Sequence, residues 1–190
     1  MADGPATRFD PDAELIAAVA AGDAEAFENL VRKYERPVLN TAYRYVGDRT
    51  AAEDLAQEIF LKVWRRANSF KGKSSFSTWL YRIAVNQCLN FRGKRRRKRT
   101  ERLDEAAPDP RPALTERLEA EAKSRLVREA MAGLPAKQRM ALVLSKFEGH
   151  SYKEIAQVMG VSLSSVESLI FRAKRNLKEA LLPLRERGDL

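Results

Sequence analysis

The chain has 190 residues, of which 44% are hydrophobic and 32% charged, and its formal net charge at pH 7 is +9. This length allows one or two small domains, and no apolar run approaches the roughly 20 residues of a membrane span. A single cysteine and a single histidine exclude a disulfide framework and a Cys/His zinc site within the chain. The N-terminus lacks the pattern of a secretory signal, so we expect a cytoplasmic protein.

Helical periodicity dominates the chain, and no segment alternates apolar and polar residues over the length of a strand. The pattern therefore predicts an all-α fold. We expect residues 1–11 to form a disordered tail, Asp12 to cap the first helix and Asp23 to cap the second. Pro37 interrupts the pattern of that second helix and should kink or break it.

Thr50 and Glu53 have the spacing of a capping box, which predicts a helix through Trp64. The side expected to be buried is apolar and consists of Leu55, Ala56, Ile59, Phe60 and Val63. The other side mixes acids and an amide with large apolar groups, namely Asp54, Gln57, Glu58, Leu61 and Trp64. Exposed apolar groups among acids are typical of an interface. The alternative is that Trp64 covers the edge of the core.

A glycine- and serine-bearing loop, residues 68–75, leads into a helix predicted over residues 76–99. One side of this helix is apolar and carries Leu80, Tyr81, Ala84, Val85, Cys88 and Phe91. The other side carries an aromatic ring, a guanidinium and two amides, from Trp79, Arg82, Asn86 and Asn90. Such groups suit nucleic-acid bases, which need stacking surfaces and hydrogen-bonding partners. Cys88 lies on the apolar side, so we interpret it as a packing residue.

A dense basic run ends this helix and, with the C-terminal part, carries nearly all of the excess positive charge. Its side chains can neutralise phosphates, and the candidates are Arg92, Lys94, Arg95, Arg96 and Arg97. Residues 100–114 hold three prolines and few apolar groups, which predicts a flexible linker between two helical domains. Two separated basic regions indicate two contacts on one extended polyanion.

Residues 149–181 have the form of a helix-turn-helix. Ser151 and Glu154 make a capping box for its first helix, Gly160 can end that helix, and Ser162 caps the second. Small polar groups near the start of the second helix can approach base edges, while later basic groups can hold phosphates. The alternative is an ordinary helical hairpin with a solvated charged face. His150 precedes a cap and is interpreted as a turn residue.

Four segments, taken together, resemble the extracytoplasmic-function (ECF) subgroup of bacterial sigma factors. They are DAEAFENLVRKYERPVLNTAYRYVGD, AEDLAQEIFLKVWRRANSF, FSTWLYRIAVNQCLNFRGKRR and LPAKQRMALVLSKFEGHSYKEIAQVMGVSLSSVESLIFRAKRNLK, in the family order. The resemblance implies a sigma factor that directs core RNA polymerase to promoters, with no enzymatic activity, metal or cofactor. It implies sigma region 2 at residues 12–99, for polymerase and the −10 element, and sigma region 4 at residues 115–184, for the −35 element.

The resemblance also implies site residues. The polar and apolar side of the helix ending at Trp64 becomes the core polymerase surface, and Phe76 anchors the loop before its helix. The −10 contacts become Lys71, Lys73, Trp79, Arg82, Asn86 and Asn90. The −35 contacts become Ser164, Ser165, Ser168, Phe171, Arg172, Lys174 and Arg175. An anti-sigma factor is the implied regulator, and the free chain is expected to be a monomer.

Two departures from the family pattern bear on specificity. Arg82 and Ile83 stand where primary sigma factors place paired tryptophans, which implies weaker melting and stricter dependence on promoter sequence. Glu167 and Leu169 stand where many relatives carry basic residues. Glu167 either accepts a hydrogen bond from a cytosine amine or repels phosphates at wrong sites.

Two other classes of function were weighed against this one. A two-domain repressor or activator that binds duplex DNA without polymerase explains the helix-turn-helix but not the two N-terminal surfaces. An enzyme acting on nucleic acid is disfavoured because the sequence offers no nucleophile–base pair and no carboxylate cluster with metal-ligand spacing.

Overall fold

The computed structural model describes residues 10–99 and 115–188, with side chains for residues 10–91 and 122–188. Regular structure in these ranges is helical throughout, which confirms the all-α prediction. The helices are α1 (Pro11–Ala20), α2 (Ala24–Val46), α3 (Arg49–Arg66), α4 (Phe76–Arg99), α5 (Thr115–Gly133), α6 (Ala136–Lys146), α7 (Tyr152–Met159) and α8 (Leu163–Glu186). A single 3-10 turn, Ala67–Ser69, follows α3. The predicted linker, residues 100–114, and residues 1–9 of the predicted tail lie outside the described residues.

The first helix begins at Pro11, two residues earlier than a cap at Asp12 predicts, so the expected tail over residues 1–11 is one residue too long at its end. Asp10, not Asp12, is the cap of α1, and its carboxylate accepts a hydrogen bond from the Asp12 N–H at 3.1 Å. The Asp12 carboxylate is buried instead, with Lys33 Nζ at 2.7 Å and the Tyr34 hydroxyl at 2.5 Å. A buried carboxylate without a partner is energetically costly, so the Asp12 side chain pairs with Lys33 and Tyr34 instead of capping the helix. Burial and the Asp12 carboxylate raise the pKa of Tyr34.

The capping box predicted for α3 is wrong. Asp48 caps the helix by accepting a hydrogen bond from the Ala51 N–H at 2.7 Å, so the helix begins at Arg49 and Thr50 lies inside its first turn. Glu53 accepts a hydrogen bond from Arg49 Nε at 2.8 Å instead of turning back to the cap. Asp and Thr are both good caps, and here Asp48 takes the position.

Pro37 does not break α2, which continues from Ala24 to Val46. The prolyl carbonyl accepts a hydrogen bond from the Thr41 hydroxyl at 3.0 Å. Buried apolar residues lie on both sides of the proline, including Leu30, Val38 and Ala42. Packing of both halves against one core offsets the roughly 3 kcal/mol that an interior proline costs.

Helices α1 to α4 enclose the first apolar core. The predicted buried side of α3 is buried as expected, from Leu55 to Val63. Phe76, at the start of α4, has no exposed surface, and its ring lies 5.4 Å from the Tyr34 ring and 6.3 Å from the Phe70 ring, centroid to centroid. The prediction that Phe76 anchors the preceding loop is therefore confirmed.

A second apolar core joins the N-terminal helices to the C-terminal ones. It takes Tyr81, Val85 and Cys88 from α4, together with residues of α2 and α3, and covers them with residues of α6, α7 and α8. Cys88 has no exposed surface, and burial raises the pKa of its thiol to about 12, which confirms the packing interpretation. The apolar side of α4 is thus divided between two cores.

The helix-turn-helix has the predicted local chemistry. The Ser151–Glu154 capping box is present on α7, Gly160 ends that helix with φ of 65°, and the Ser162 hydroxyl accepts a hydrogen bond from the Ser165 N–H at 3.2 Å. Within the described ranges no single helix is long and apolar enough to cross a bilayer. Helices α7 and α8 together have the length and apolar composition of a span, but they are bent by 103° at the break between them.

Candidate nucleic-acid interface

Two acceptors hold the first turn of α4. The Ser75 hydroxyl accepts a hydrogen bond from the Thr78 N–H at 3.2 Å, and the second carboxylate oxygen of Asp10 accepts one from the Phe76 N–H at 2.6 Å. Because Asp10 also caps α1, one side chain ties the start of α1 to the start of α4. Both contacts place an acceptor at the positive end of the α4 dipole, where negative charge is favourable.

The loop before α4 presents two lysines to solvent. Lys71 and Lys73 are exposed on either side of Gly72, whose φ of 67° is a left-handed conformation suited to glycine. Lys71 Nζ donates to the Asn68 carbonyl at 3.2 Å, which leaves part of its hydrogen-bonding capacity free. Cations at such a loop can hold backbone phosphates beside the start of α4.

Trp79 belongs to an aromatic cluster as well as to the polar face of α4. Its ring centroid lies 5.6 Å from that of Phe70 and 6.0 Å from that of Phe76, and the side chain is half-buried. The sequence placed Trp79 wholly on the base-contacting side. In the structure one part of the Trp79 ring packs against Phe70 of the loop and Phe76 of the core. The remaining surface of the ring is exposed and available for stacking.

The rest of the polar face of α4 is exposed. Asn86 and Asn90 face solvent, and Arg82 is exposed but donates from Nε to the Gln157 carbonyl of α7 at 2.8 Å. The helix continues through the basic run to Arg99, but the predicted phosphate contacts lie outside the described side chains; they are Arg92, Lys94, Arg95, Arg96 and Arg97. The structure therefore brings Trp79, Arg82 and the two asparagines to one side of one helix.

The predicted protein-binding side of α3 is exposed throughout its length. Its members are Asp54, Gln57, Glu58, Leu61 and Trp64. Leu61 is 52% exposed and Trp64 is 38% exposed, which is unusual for such large apolar side chains. The Trp64 ring meets the Phe27 ring at 5.0 Å, so Trp64 both covers the core edge and faces solvent. Gln87 Nε2 donates to Glu58 at 3.0 Å and orients that carboxylate.

The predicted base-reading side of α8 is exposed as well. It carries Ser164, Ser165, Ser168, Phe171, Arg172, Lys174 and Arg175. Phe171 is 68% exposed, the largest value among the described large apolar side chains. The hydroxyls of Ser164 and Ser165 lie 3.0 Å and 2.8 Å from the Ser162 hydroxyl, so the cap holds them in place. Glu167 is exposed between these serines and Phe171.

Sequence reasoning missed a set of polar residues between the two helical units. Arg139 is 1% exposed, and its guanidinium donates to the Arg44 carbonyl at 3.3 Å. His150 lies in the connection between α6 and α7, as the turn interpretation expects, and it is also half-buried, with its ring centroid 4.7 Å from that of Tyr81. Burial lowers the pKa of His150 and raises that of Glu148, which the Thr41 hydroxyl and Arg44 contact. Helical periodicity carries no signal for such contacts, because they join residues that are far apart in the chain.

In the described part of the chain, no group of three or more His, Cys, Asp or Glu side chains could hold a metal ion. The exposed sides of three helices differ in chemistry: α3 carries acids and apolar groups, α4 carries stacking and amide groups, and α8 carries serines, an aromatic ring and cations.

Two segments of the chain match known families. Residues 30–98 match the family described as sigma-70 region 2, and residues 124–177 match the family described as sigma-70, region 4. The chain is 36% identical over 190 residues to the RNA polymerase sigma-H factor of Pseudomonas aeruginosa, covering 92% of this chain and 96% of that one. It is 35% identical over 184 residues to the ECF RNA polymerase sigma-E factor of Haemophilus influenzae, covering 91% and 96%.

Solved structures share the fold. The structure of CnrH in complex with the cytosolic domain of CnrY superposes with a TM-score of 0.67 at 27% identity, covering 90% of this chain and 97% of that one. The sigma factor RpoE from Bartonella quintana, solved with the anti-sigma factor NepR, superposes with a TM-score of 0.64 at 24% identity, covering 83% and 98%. The similarity to the Bartonella quintana protein, at 24% identity, supports the fold alone.

Proposed function

The chain belongs to the sigma-70 family as an ECF RNA polymerase sigma factor, and from this membership we propose how its surfaces divide the work of transcription initiation. It directs core RNA polymerase to promoters. We assign residues 12–99 to region 2 and residues 115–184 to region 4, joined by residues 100–114. We further infer that the chain acts by binding rather than by catalysis, in the cytoplasm, where core polymerase works.

The core polymerase surface is the exposed side of α3. The observation that carries this assignment is the pair Leu61 and Trp64, exposed between the acids Asp54 and Glu58. Such a mixture supports a partner with an apolar centre and basic rim. Changing Asp54 and Glu58 to lysine should weaken binding of core polymerase, measured by competition with a labelled sigma factor. The control is Glu14→Lys, an exposed acid of α1; equal binding by all three proteins would refute the assignment.

The −10 surface is the polar side of α4 and the loop before it. Asn86 and Asn90 offer amides to unpaired bases, Trp79 offers part of a ring, and Lys71 and Lys73 offer cations to phosphates. Asn86→Ala should lower open-complex formation by the equivalent of about 1–3 kcal/mol, while polymerase binding stays unchanged. Permanganate footprinting measures the open complex. Asn40→Ala removes an exposed amide from α2 and serves as the control; an equal effect of both would sink the assignment.

The −35 surface is the exposed side of α8, with its N-terminal serines toward base edges and its later cations toward phosphates. Phe171 is the exposed apolar group at the centre of this side and fits a thymine methyl group. Phe171→Ala should therefore relax base choice at one −35 position. Arg172→Ala should weaken binding to all sequences and reduce the salt dependence by about one charge.

One experiment separates this function from that of a repressor or activator acting without polymerase. Run-off transcription with core polymerase, on promoters selected from a randomised library, should give a product that depends on this chain. A chain that binds duplex DNA yet yields no promoter-dependent product on any selected template would favour the alternative.

We also infer a protein regulator of the anti-sigma class. Support comes from the similarity to CnrH, which was solved in complex with the cytosolic domain of CnrY. Such a partner would act by covering the surfaces of α3, α4 or α8 described above.

A further inference from the structure

We propose that Gln87, a buried amide of α4, positions two oppositely charged side chains of α3, Glu58 and Lys62, and that Lys62 belongs to the core polymerase surface. Because the exposed side of α3 is assigned to core polymerase above, both roles rest on that proposed function. They add one contact residue, Lys62, and one positioning residue, Gln87, to the surface. They also specify the partner, which must offer an acidic group beside the basic groups that face the acids of α3.

The Gln87 amide bonds to both charged side chains. Gln87 is only 7% exposed, on the side of α4 that meets α3. Its Oε1 atom accepts a hydrogen bond from Lys62 Nζ, and its Nε2 atom donates one to a Glu58 carboxylate oxygen at 3.0 Å. An amide has one accepting end and one donating end, so its orientation matches the order of the two charges. The reversed orientation would place the amide donor against the ammonium group and the amide acceptor against the carboxylate.

The amide bridges two groups that could otherwise pair directly with each other. Glu58 precedes Lys62 by four residues on α3, which is the spacing and order at which a glutamate and a lysine form an ion pair on a helix surface. In this structure each of them bonds to Gln87 instead. One hydrogen bond uses only part of the capacity of a carboxylate or an ammonium group, so both charges can still bond to a partner.

Both charges lie at the surface assigned to core polymerase. Glu58 is exposed and Lys62 is half-buried. Leu61, which is 52% exposed, lies beside them, three residues after Glu58 and one before Lys62. A partner that fits this arrangement has an apolar group with a cation and a carboxylate at its edge. A purely basic partner would meet Lys62 with like charge, which is unfavourable, so the fixed pair contributes specificity as well as affinity.

Positioning matters because glutamate and lysine side chains are long and flexible. Ordering such a side chain when a complex forms lowers the affinity, and an amide that already holds both side chains in the free chain removes part of that cost. The alternative is that Gln87 only joins α3 to α4. The two roles differ in one measurable respect. A positioning role affects polymerase binding only while the charges of Glu58 and Lys62 are present, whereas a packing role does not depend on them.

Gln87→Met tests the positioning role, since it keeps an unbranched side chain of similar length and removes both hydrogen bonds. The affinity of the full chain for core polymerase, measured by competition with a labelled sigma factor, should fall by about threefold to tenfold. The control is Tyr34→Phe, which removes the hydrogen bond of 2.5 Å that joins α2 to the Asp12 carboxylate of α1. It should lower stability in urea and leave the affinity unchanged. Both variants are compared at a temperature where both are folded.

A mutant cycle separates positioning from packing. In a chain that carries Glu58→Gln and Lys62→Met the two charges are absent, so adding Gln87→Met should lower the affinity for core polymerase by no more than about twofold. Lys62→Met alone should weaken binding by about threefold, as expected for the loss of an exposed ion pair with the partner. Arg36→Met removes an exposed cation of α2 and is the control for Lys62.

Unchanged affinity in Gln87→Met, when Glu58→Gln and Lys62→Met each weaken binding, would overturn the positioning role and leave the assignment of α3 intact. An equal loss from Gln87→Met with and without the two charges would assign Gln87 to packing and overturn the role as well. If neither these variants nor the charge reversals of Asp54 and Glu58 weaken binding, the assignment of α3 to core polymerase fails, and the roles of Gln87 and Lys62 fail with it.

Discussion

Replacing Asp10 with alanine tests how α1 holds the start of α4, the helix to which we assign the −10 contacts. The two carboxylate oxygens of Asp10 accept hydrogen bonds from different helices, one from the Asp12 N–H at 3.1 Å and the other from the Phe76 N–H at 2.6 Å. The alanine variant removes both acceptors. Because we propose that α4 carries the −10 surface, the loss should affect both the stability of the chain and its affinity for a single-stranded oligonucleotide of −10 sequence.

The expected loss of stability follows from the two contacts. Loss of the α1 cap costs about 1 kcal/mol. The Phe76 N–H belongs to a residue with no exposed surface, and leaving such a donor without an acceptor costs about 1–3 kcal/mol. Together they predict that the free energy of unfolding falls by about 2–4 kcal/mol. Asn at position 10 keeps one acceptor oxygen and should give an intermediate value.

Asp23→Ala is the matched control, since the Asp23 carboxylate caps α2 through hydrogen bonds of 2.8 Å and 3.1 Å from the Glu25 and Ala26 N–H groups, whereas that of Asp10 also reaches α4. It should cost only the ordinary value for a cap, about 1 kcal/mol. Urea unfolding measures both losses, and strand affinity at a temperature where both variants are folded should fall for Asp10→Ala alone. If the two variants lose equal stability and bind the strand equally, the tie between α1 and α4 has no consequence and the reasoning is refuted.

Three further predictions concern groups outside these surfaces. The Cys88 thiol, whose pKa burial raises to about 12, should react with a maleimide at pH 8 only after urea unfolds the chain; rapid reaction in the native state would contradict its burial. Gly160→Ala should lower the free energy of unfolding by about 1 kcal/mol because φ is 65° at that position, although no atom lies within 4 Å of the added Cβ. Gly133→Ala, at a helical glycine without positive φ, is the control and should not destabilise the chain in the same thermal melting experiment. Burial lowers the pKa of His150, so the folded state favours the neutral ring and the free energy of unfolding should fall as pH drops below about 6.5. Urea unfolding in a Glu148→Gln background, which removes a raised pKa of opposite effect, measures this dependence, and an unchanged pH profile after His150→Gln would exclude His150 as its cause.

Local patterns in the sequence predicted the helices and their sides well. The buried side of α3, the capping box of α7 and the left-handed Gly160 depend on residues within one or two turns of each other, and the structure has all three. Such features follow from the helical repeat and from backbone hydrogen bonding, which a single sequence displays directly.

Choices between neighbouring residues and contacts between distant ones were predicted less well. Pro11 at the first helical position favours Asp10 as the cap, a local signal that the prediction of Asp12 did not use. The burial of the Asp12 carboxylate beside Lys33 and Tyr34, in contrast, depends on residues of the next helix. Periodicity likewise showed that Tyr81 lies on an apolar side, but it could not show that a second helical unit covers it. That information lies in the packing of residues about 70 positions apart, as in the hydrogen bond from Arg82 to Gln157.

The hydrogen bond from Arg82 to the Gln157 carbonyl gives one side chain of α4 a packing role beside the base-contacting role that we propose for it. A substitution at Arg82 should therefore change the contact between α4 and α7 together with any contact to DNA. The effect of such a variant on promoter choice has to be interpreted beside a measurement of its stability.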